Sequence, residues 1–540
     1  MPAEWGGDGC IHTNEYEGQD RPAPAFLIAS RSMPGAKAGC DLANCGRLCV
    51  RQTHRAPPSF RAIGLRPGID DGENIVDMAA TSAQYAETTE RAPLSARISW
   101  MLFDWSVQPF YTLILTFLFA PYFANVVVGD GPQGQALWGY GAAVAGVLIA
   151  VGSPFLGAFA DGRGHRKPWI ALFSLILATA MASLWIAVPS APTSTIYLIL
   201  FAFVCATVCA EYTAVFTNAF MPSLVPQGEL GRLSGAGWAC GYFGGLASLF
   251  LVAGLIVPVD GTDKTLLGLS PLFPLDAATR EGDRIVGPLS AVWYLVFMIP
   301  FFVFVPDVKQ KRVDDGRHAT AELWDTVRAL PHNRDMLLFL IARMIYTDGL
   351  TAIFTFGGIY GAGVFGWGPL ELGLFGIILT LVGAFGALIG GVLDDRISAK
   401  FVIVSALFIL LIGAFGILSV DASHVLFFFD VDPKAPGSAP FSSTGERVFL
   451  AFAVVVGLVS APVQSSSRSL LARLAPRDKI TQYFGLFAFS GKVTAFLAPL
   501  LVALVTTLTH SQRLGMSAIT LFLMAGIVLM LPVRAPTRQA

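Results

Sequence analysis

"GAFADGRGHRK", residues 157–167, follows one long apolar run of the chain and precedes another. A related segment, "GVLDDRISAK" at residues 391–400, takes the corresponding place in the second half. Each copy carries a glycine four positions before an aspartate and then ends in basic residues, with the pairs Gly157/Asp161 and Gly391/Asp395. The recurrence indicates a duplicated unit.

A second pair of segments supports the duplication. "LVPQGELGRLSG" at 224–235 and "LAPRDKITQYFG" at 474–485 both begin with Leu, carry Pro at the third position and end on Gly. A six-span unit that occurs twice, with a basic stretch between the copies, is typical of a transporter built from two helix bundles around a midplane cavity.

The composition places the chain in a membrane. Of its 540 residues, 54% are hydrophobic and 14% are charged, and the mean hydropathy is +0.62. Soluble domains carry roughly 25% charged residues, so a hydrophobic core alone does not explain the deficit. The formal net charge of −1 gives no reason to expect a nucleic-acid partner.

The sequence carries no motif for enzyme chemistry. It has no Gly-rich phosphate loop after a strand, no CxxC pair and no HExxH sequence. No set of residues suggests a nucleophile with its base. We therefore predict no enzyme activity, no cofactor and no bound metal.

From Ile98 onward the chain contains twelve apolar segments. Each has about 20 residues or more, which is enough to cross a hydrocarbon core of ~30 Å as a helix. Gly and Pro inside such helices are tolerated. We predict spans at 98–126, 136–160, 168–188, 194–219, 235–257, 287–306, 336–360, 370–393, 400–420, 446–470, 481–506 and 513–533.

Lys and Arg are distributed unevenly between the predicted loops. The loops after even-numbered spans, with the linker between spans 6 and 7, hold sixteen of them, and the opposite loops hold six. The positive-inside rule therefore places both termini in the cytoplasm. The predicted fold is an all-α membrane protein with twelve transmembrane helices.

The predicted organisation has four parts. Residues 1–91 are rich in Gly, Pro, Ala, Arg and Asp without a sustained period, so we expect a disordered extension. Two six-helix bundles follow at 92–306 and 336–540. A cytoplasmic linker at 307–335 joins them.

Several stretches resemble a known family. The loop at 157–167 is similar to the loop 2–3 signature of the major facilitator superfamily, although Gly162 stands where a basic residue is usual. Six further stretches resemble the bacterial relatives of the yeast autophagy-associated vacuolar effluxer, and the resemblance covers about residues 98–535. These stretches are "WMLFDWSVQPFY", "VFTNAFMPSL", "LSGAGWACGYFGG", "ARMIYTDGL", "QSSSRSLLARLAP" and "YFGLFAFSGKVTAFLAPL".

The resemblance implies a major facilitator fold and a secondary transporter that works by alternating access. Eukaryotic relatives are associated with amino-acid efflux from vacuoles. We accordingly expect a monomer in a bacterial inner (plasma) membrane, surrounded by lipid, with a small-molecule substrate and with protons as a candidate coupling ion.

The loop signature predicts a gating latch. Asp161 ends span 2, where a carboxylate can face a positive helix N-terminus or pair with a loop arginine. Superfamily analogy makes span 11 the facing helix. The predicted latch residues, in both copies of the repeat, are Gly157, Asp161, Arg163, Arg166, Lys167, Asp395 and Arg396.

Five ionisable residues lie within spans: Asp104, Glu211, Arg343, Asp348 and Lys492. A charge at the centre of a span costs roughly 2.5–3.5 kcal/mol on insertion scales, so such residues face a cavity or one another. Two pairings are expected: Asp348 with Lys492 near the midplane, and Arg343 with Asp104 or Glu211.

The first span carries a polar face. Asp104, Gln108 and Tyr111 recur at i, i+4 and i+7, while the other faces suit lipid. Cavity lining explains all three residues, whereas snorkelling to the surface explains only Asp104. Pro109 is expected to distort the helix beside them. Further residues predicted to bind substrate or proton are Asn218, Tyr346, Gln464 and Arg468, with Trp238 equally well explained by packing.

Mixed charges in one cavity favour a small polar solute with an amine and a carboxylate, such as an amino acid. A carrier that exports hydrophobic drugs would have more aromatic residues and fewer paired charges. A receptor or lipid scramblase that moves no solute is the alternative from another class, which the repeat and the latch motif disfavour. Solute counterflow separates these functions, since only a carrier exchanges solute.

Overall fold

The computed structural model describes residues 91–258, 262, 264–307, 319–435 and 437–534, where the chain is almost entirely helical. Arg91 belongs to this fold, because its Nε donates a hydrogen bond to Glu229 Oε1 at 2.9 Å. The disorder predicted for residues 1–91 therefore does not reach Arg91. Residues 1–90 lie outside the described ranges.

Eleven helices in the described ranges are long and apolar enough to cross a membrane. They match eleven of the predicted spans, and the sidedness of the termini stays a prediction. Numbered by span, the helices are α1 Leu94–Pro109, α2 Gly131–Arg163, α3 Lys167–Ser183, α4 Thr193–Asn218, α5 Leu230–Leu255, α6 Val286–Phe304, α7 Arg334–Phe365, α8 Pro369–Arg396, α9 Ala399–Leu418, α10 Thr444–Leu474, α11a Ile480–Ser490, α11b Leu497–Thr509 and α12 Gln512–Met530.

Side-chain caps begin several of these helices. The Asp130 carboxylate accepts a hydrogen bond from the Gln133 amide at the start of α2, and Ser443 forms a capping box with Glu446 at the start of α10. Such caps satisfy amide groups that have no partner within the helix. At its other end, α2 stops at Gly164, whose φ of 77° requires the left-handed conformation that glycine adopts without strain.

Pro109 ends the regular part of the first span, as its lack of an amide hydrogen predicts. A π-helix, Phe110–Phe117, follows immediately and continues into Phe119–Tyr122 and Phe123–Val127. In a regular helix residue 109 would donate to the Trp105 carbonyl, and proline cannot. The Trp293 indole of α6 donates to that carbonyl instead, at 3.2 Å.

The predicted span at 481–506 is wrong as a single helix. It is interrupted between α11a and α11b by turns at residues 491–496. Pro499 supplies the physical reason, because it has no amide hydrogen for the Ala495 carbonyl and its ring crowds that group. Pro499 lies in the first turn of α11b, where proline is tolerated.

The two halves of the chain pack against each other through matching helices. Helix α2 packs on α11a, and α5 packs on α8 and α10. The linker contributes an amphipathic helix, Ala319–Ala329, which packs on α2. Strands β1 (His424–Val425) and β2 (Phe429–Asp430) form a short antiparallel hairpin between α9 and α10. The division into two bundles at 92–306 and 336–540 stays a prediction.

The contact between α8 and α10 generates a stability prediction. Pro462 leaves the Leu458 carbonyl without its helical donor, and Gly386 lies so close that an added Cβ would be 1.9 Å from that oxygen. We expect Gly386→Ala to destabilise the protein by about 1–3 kcal/mol, since backbone must move to admit the methyl group. Thermal unfolding of the purified protein would measure this loss. Gly373→Ala on the same helix is the control, because nothing lies within 4 Å of its added Cβ; equal melting of the two variants would contradict the prediction.

Candidate functional site

A cavity of about 410 Å³ lies between α1, α4 and α5 of the first half and α7, α10 and α11a of the second. Its volume is within the roughly 300–1,000 Å³ of small-molecule sites. Aromatic rings of Phe103, Trp238, Tyr242, Phe484 and Phe487 form part of its wall. Ten of the eleven residues predicted to bind substrate or proton line it: Asp104, Gln108, Tyr111, Glu211, Asn218, Arg343, Tyr346, Gln464, Arg468 and Lys492. Their role in binding stays a prediction.

The polar face of α1 meets the glycine face of α5. An added Cβ at Gly241 would lie 3.3 Å from the Asp104 side chain, and one at Gly245 would lie 2.9 Å from Gln108. The glycines thus permit the close helix contact that lets Asp104 and Gln108 reach the cavity. Trp238, on the same helix, lines the cavity and also packs beside Tyr242, with the two ring centres 5.9 Å apart, so the structure is compatible with both roles.

Arg468 of α10 joins the second half to three helices of the first. Its Nη1 donates to Asp104 Oδ2 and to Asn218 Oδ1, each at 3.1 Å. Its Nε and Nη2 donate to the hydroxyl and the carbonyl of Ser234, and its guanidinium carbon lies 4.9 Å from the centre of the Trp100 ring. The side chain is 5% exposed, so these contacts replace water around a buried charge.

A second ion pair crosses between the halves. Lys492 Nζ lies 3.1 Å from Glu211 Oε1. Lys492 belongs to the interrupted segment at 491–496, and Glu211 lies in α4. The pair is partly exposed to the cavity, which leaves it accessible to a solute.

Both predicted pairings are wrong. Asp348 does not pair with Lys492 and does not line the cavity, and Arg343 pairs with neither Asp104 nor Glu211. The depth of each residue along its helix was estimated from the sequence, but the direction of each side chain depends on how the helices pack. Arg468, placed in the sequence only near the inner end of span 10, takes Asp104 as its partner.

Arg343 has no carboxylate within 4.0 Å among the described residues. Its Nη1 donates to the Ser490 hydroxyl at 2.8 Å and to the Phe487 carbonyl, and its guanidinium carbon lies 3.3 Å from the centre of the Phe487 ring. These contacts hold the guanidinium plane against α11a. The Tyr346 hydroxyl, one turn further along α7, shares a hydrogen bond of 2.6 Å with Ser467.

The Asp161 carboxylate lies at the N-terminus of α11a, as the latch prediction requires. Its Oδ2 accepts a hydrogen bond from the Gln482 amide at 2.8 Å, and its Oδ1 lies 3.1 Å from Arg166 Nη2. Arg166 also donates to the Thr481 hydroxyl at 2.7 Å. One carboxylate and one guanidinium therefore tie the end of α2 to the start of α11a.

The second copy of the repeat makes the equivalent contact. Asp395 accepts hydrogen bonds from the amides of Gly231 and Arg232 at the N-terminus of α5, each at 2.8 Å. Arg473 pairs with Asp395 at 3.0 Å and also with Asp394. The two receiving helix starts lie in the segments 224–235 and 474–485, which are the second repeated pair of the sequence.

A glycine on the same helix allows each of these aspartates to reach the N-terminus of the opposite helix. A Cβ at Gly157 would lie 2.6 Å from the Thr481 carbonyl oxygen, and one at Gly391 would lie 2.6 Å from the Gly231 carbonyl oxygen. A side chain at either position would separate the helices. The spacing of glycine and aspartate in the repeat thus has one physical reason in both copies.

Two predicted latch residues with described side chains are not in these contacts. Lys167 donates to the Phe302 carbonyl at 2.7 Å, near the end of α6, and Arg396 forms no ion pair with a described residue. The side chain of Arg163 lies outside the described part. Sequence reasoning missed Asp394 and Arg473, for which the doubled aspartate and the "LLARLAP" stretch were the available signals.

The fold and the cavity define the class of the protein: an integral multi-pass membrane transporter of the major facilitator superfamily. The solved structure of the transporter FucP in the outward conformation matches with a TM-score of 0.57 at 14% identity. The match covers 81% of this chain and 97% of the other, and at that identity it shows the fold alone. The chain belongs to the family described as vacuole effluxer Atg22-like, whose model matches residues 127–539.

Relatives agree with this family and confirm the resemblance predicted from the sequence. An uncharacterized MFS-type transporter, YxiO, of Bacillus subtilis is 23% identical over 439 residues, which are 80% of this chain and 93% of that protein. Autophagy-related protein 22 of Yarrowia lipolytica is 25% identical over 338 residues, 57% of this chain. This match spans 51% of the fungal protein, about half its length.

The pair of Glu211 and Lys492 can be tested by a double-mutant cycle. Glu211→Gln and Lys492→Gln should each lower the melting temperature, because each strands a charge at the cavity wall. The double variant should lose less than the sum, with a coupling energy of roughly 0.5–3 kcal/mol. Lys492→Gln combined with Asp104→Asn is the control, since these two side chains do not form a pair. Additive losses in the first cycle would show that Glu211 and Lys492 do not interact.

Proposed function

We propose that this protein carries a small zwitterionic solute, such as an amino acid, across the membrane by alternating access. The observation that carries the proposal is the charge arrangement of the cavity. Two acids and three bases line it, and one of the bases, Arg343, has no carboxylate partner among the described residues. A solute that carries both an amine and a carboxylate complements this wall.

Arg343 is the group proposed to bind the carboxylate. A guanidinium offers several donors in one plane and matches a carboxylate with two parallel hydrogen bonds. Here Nη1 is held by Ser490 and Phe487 of α11a. The orientation of the remaining donors is thereby set before the solute arrives, which reduces the entropy lost on binding.

Glu211 is the group proposed to bind the amine. In the described structure it pairs with Lys492, so the amine of the solute would replace that ammonium group. The exchange releases Lys492 from α4 and loosens one of the ion pairs between the halves. A ligand shifts a conformational equilibrium only through such a difference in contacts between the two states.

The latch contacts support a state in which the cavity is closed at the end of the molecule that carries the loops rich in Lys and Arg. Asp161 with Arg166 joins α2 to α11a, and Asp395 with Arg473 joins α8 to α5 and α10. The excess of Lys and Arg in these loops favours a cytoplasmic location for this end. Opening toward the cytoplasm would then require both sets of contacts to break.

The family description and the relatives bear on the direction of transport and on the membrane that holds the protein. The words "vacuole effluxer" describe movement out of a vacuolar lumen and therefore support transport toward the cytoplasm, and a Bacillus subtilis relative supports a bacterial plasma membrane. Drug efflux fits less well, because five charged side chains line the cavity. A monomer with both termini in the cytoplasm completes the proposal.

Counterflow in proteoliposomes tests the proposal. Purified protein is reconstituted with unlabelled amino acids inside, and entry of each radiolabelled amino acid is measured. The function predicts accelerated exchange for at least one amino acid and none for the matching amine or carboxylic acid alone. Exchange of hydrophobic cations instead would favour drug efflux, and the absence of any exchange would argue against a carrier.

The role of Arg343 gives a quantitative prediction. Arg343→Gln should raise the apparent KM for the exchanged amino acid by roughly 10- to 100-fold, the loss that corresponds to hydrogen bonds between charged groups. Arg343→Lys should retain part of the affinity, since it keeps the charge without the planar donors. Arg328→Gln, on the linker helix, is the control and should leave the KM unchanged. An unchanged KM in Arg343→Gln would remove this residue from the site.

The latch predicts a shift between states. Asp161→Asn and Asp395→Asn should each increase the reaction of a cysteine at Ala488, in the cavity, with an impermeant thiol reagent added from the cytoplasmic side. The amide binds the helix N-terminus more weakly than the carboxylate does. Asp307→Asn, which alters a surface pair with His165 at the same end, is the control. All variants carry replacements of the native cysteines, and unchanged accessibility would count against the latch.

A further inference from the structure

Asp348 is a buried carboxylate that the cavity does not use. It lies in the middle of α7 and is 1% exposed. Neither of its oxygens accepts a hydrogen bond of normal geometry from the described residues. An ionised carboxylate buried at this depth without a partner is strongly unfavourable, so its surroundings should supply a neutralising group.

The neighbouring polar group is the Thr494 hydroxyl, which lies close enough to Asp348 to interact with it. This hydroxyl is also buried and has no hydrogen-bond partner of normal geometry in the described part of the chain. Thr494 belongs to the interruption at 491–496. Two unsatisfied oxygen-bearing side chains thus adjoin each other beside a break in a membrane helix.

The break adds backbone oxygens to the same region. No described amide donates to the carbonyls of Ser490, Gly491, Val493 or Ala495. Unwound membrane helices of transporters coordinate small cations through such carbonyls. A hard monovalent cation prefers oxygen ligands of these three kinds, namely carboxylate, hydroxyl and carbonyl.

We propose that Asp348 and Thr494, with carbonyl oxygens of the interrupted eleventh span, bind a Na⁺ ion. A proton on Asp348 and the Thr494 hydroxyl would together provide two donors, fewer than the unsatisfied oxygen acceptors of this region. A metal cation satisfies several acceptors at once and also neutralises the carboxylate. The number of unsatisfied oxygens therefore favours Na⁺ over a proton.

The position of the site connects the ion to the cavity. Lys492 and Thr494 lie two residues apart in the interrupted segment, and Lys492 reaches across to Glu211. Ion binding on one side and solute binding on the other would act on the same short segment. The inference that an ion gradient drives solute movement rests on the function proposed above. Ion binding itself does not depend on that function.

Thermal unfolding of the full-length protein in detergent tests the site. The probe is NaCl, exchanged against choline chloride at constant ionic strength, without any solute. We expect the melting temperature to rise by roughly 2–4 °C between 0 and 150 mM Na⁺, with saturation. Asp348→Asn should abolish the rise. Thr494→Val should raise the Na⁺ concentration at the midpoint of the rise by roughly tenfold, while Thr494→Ser should leave it unchanged.

Thr507→Val is the matched control on α11b, because within the described part of the chain that hydroxyl donates to the Ala503 carbonyl of its own helix. This variant should keep the full response to Na⁺. The proposal is overturned if the wild-type protein melts alike in Na⁺ and choline, or if both Asp348→Asn and Thr494→Val respond like the wild type. Stabilisation by acid without any effect of Na⁺ would make a proton the ligand and would also overturn it. Since no transport is measured, a failed counterflow assay leaves this result intact, and a negative result here leaves the carrier function intact.

Discussion

The structure depends on the hydrogen-bond partners of one guanidinium group inside the membrane. Arg468 is nearly excluded from water, and leaving such a charge unpaired would cost several kcal/mol. Its donors are satisfied by Asp104, Asn218 and Ser234, which come from three helices of the other half. Because one side chain needs all three helices, their relative positions are fixed together. That arrangement determines the position of the cavity wall next to Arg468.

The duplicated aspartates make equivalent contacts between the two halves of the chain. Asp161 and Asp395 each place a carboxylate against the N-terminal amides of a helix in the opposite half. Gly157 and Gly391 are the residues that permit this approach in the two copies. The energy of each contact comes from local dipoles and hydrogen bonds, so it can be lost and formed again without unfolding a bundle. This is the property that the proposed latch requires.

Prolines decide where the helices around the cavity become irregular. Pro109 ends the regular part of α1 beside Gln108 and Tyr111, and Pro499 accompanies the interruption that carries Lys492. In each place a backbone carbonyl loses its helical donor. The Trp293 indole satisfies one of these carbonyls, and the region around Thr494 retains several that are available to a ligand. Irregular backbone is tolerated in a membrane where protein or a cavity surrounds it.

Much of the fold could be predicted from the sequence because its signals are local. Apolar length marked eleven of the spans. The loop signature marked Asp161, and its resemblance to the major facilitator superfamily implied the contact with the eleventh span. The polar spacing of Asp104, Gln108 and Tyr111 correctly predicted a cavity-lining face. Helical periodicity fixes which residues share a face, and this information is complete within one segment.

The pairing of charges was decided only by the tertiary structure. Sequence placed Asp348 and Lys492 at similar depth, yet Lys492 pairs with Glu211, and Arg468 rather than Arg343 pairs with Asp104. Depth along a helix can be counted from residue positions, but the direction of a side chain depends on helix rotation and on the interruption near Pro499. By itself the sequence determined which charges enter the membrane and which faces of the helices carry them. Packing determined which partners they meet, because a charge pair forms only where two helices bring its members within a few ångströms of each other.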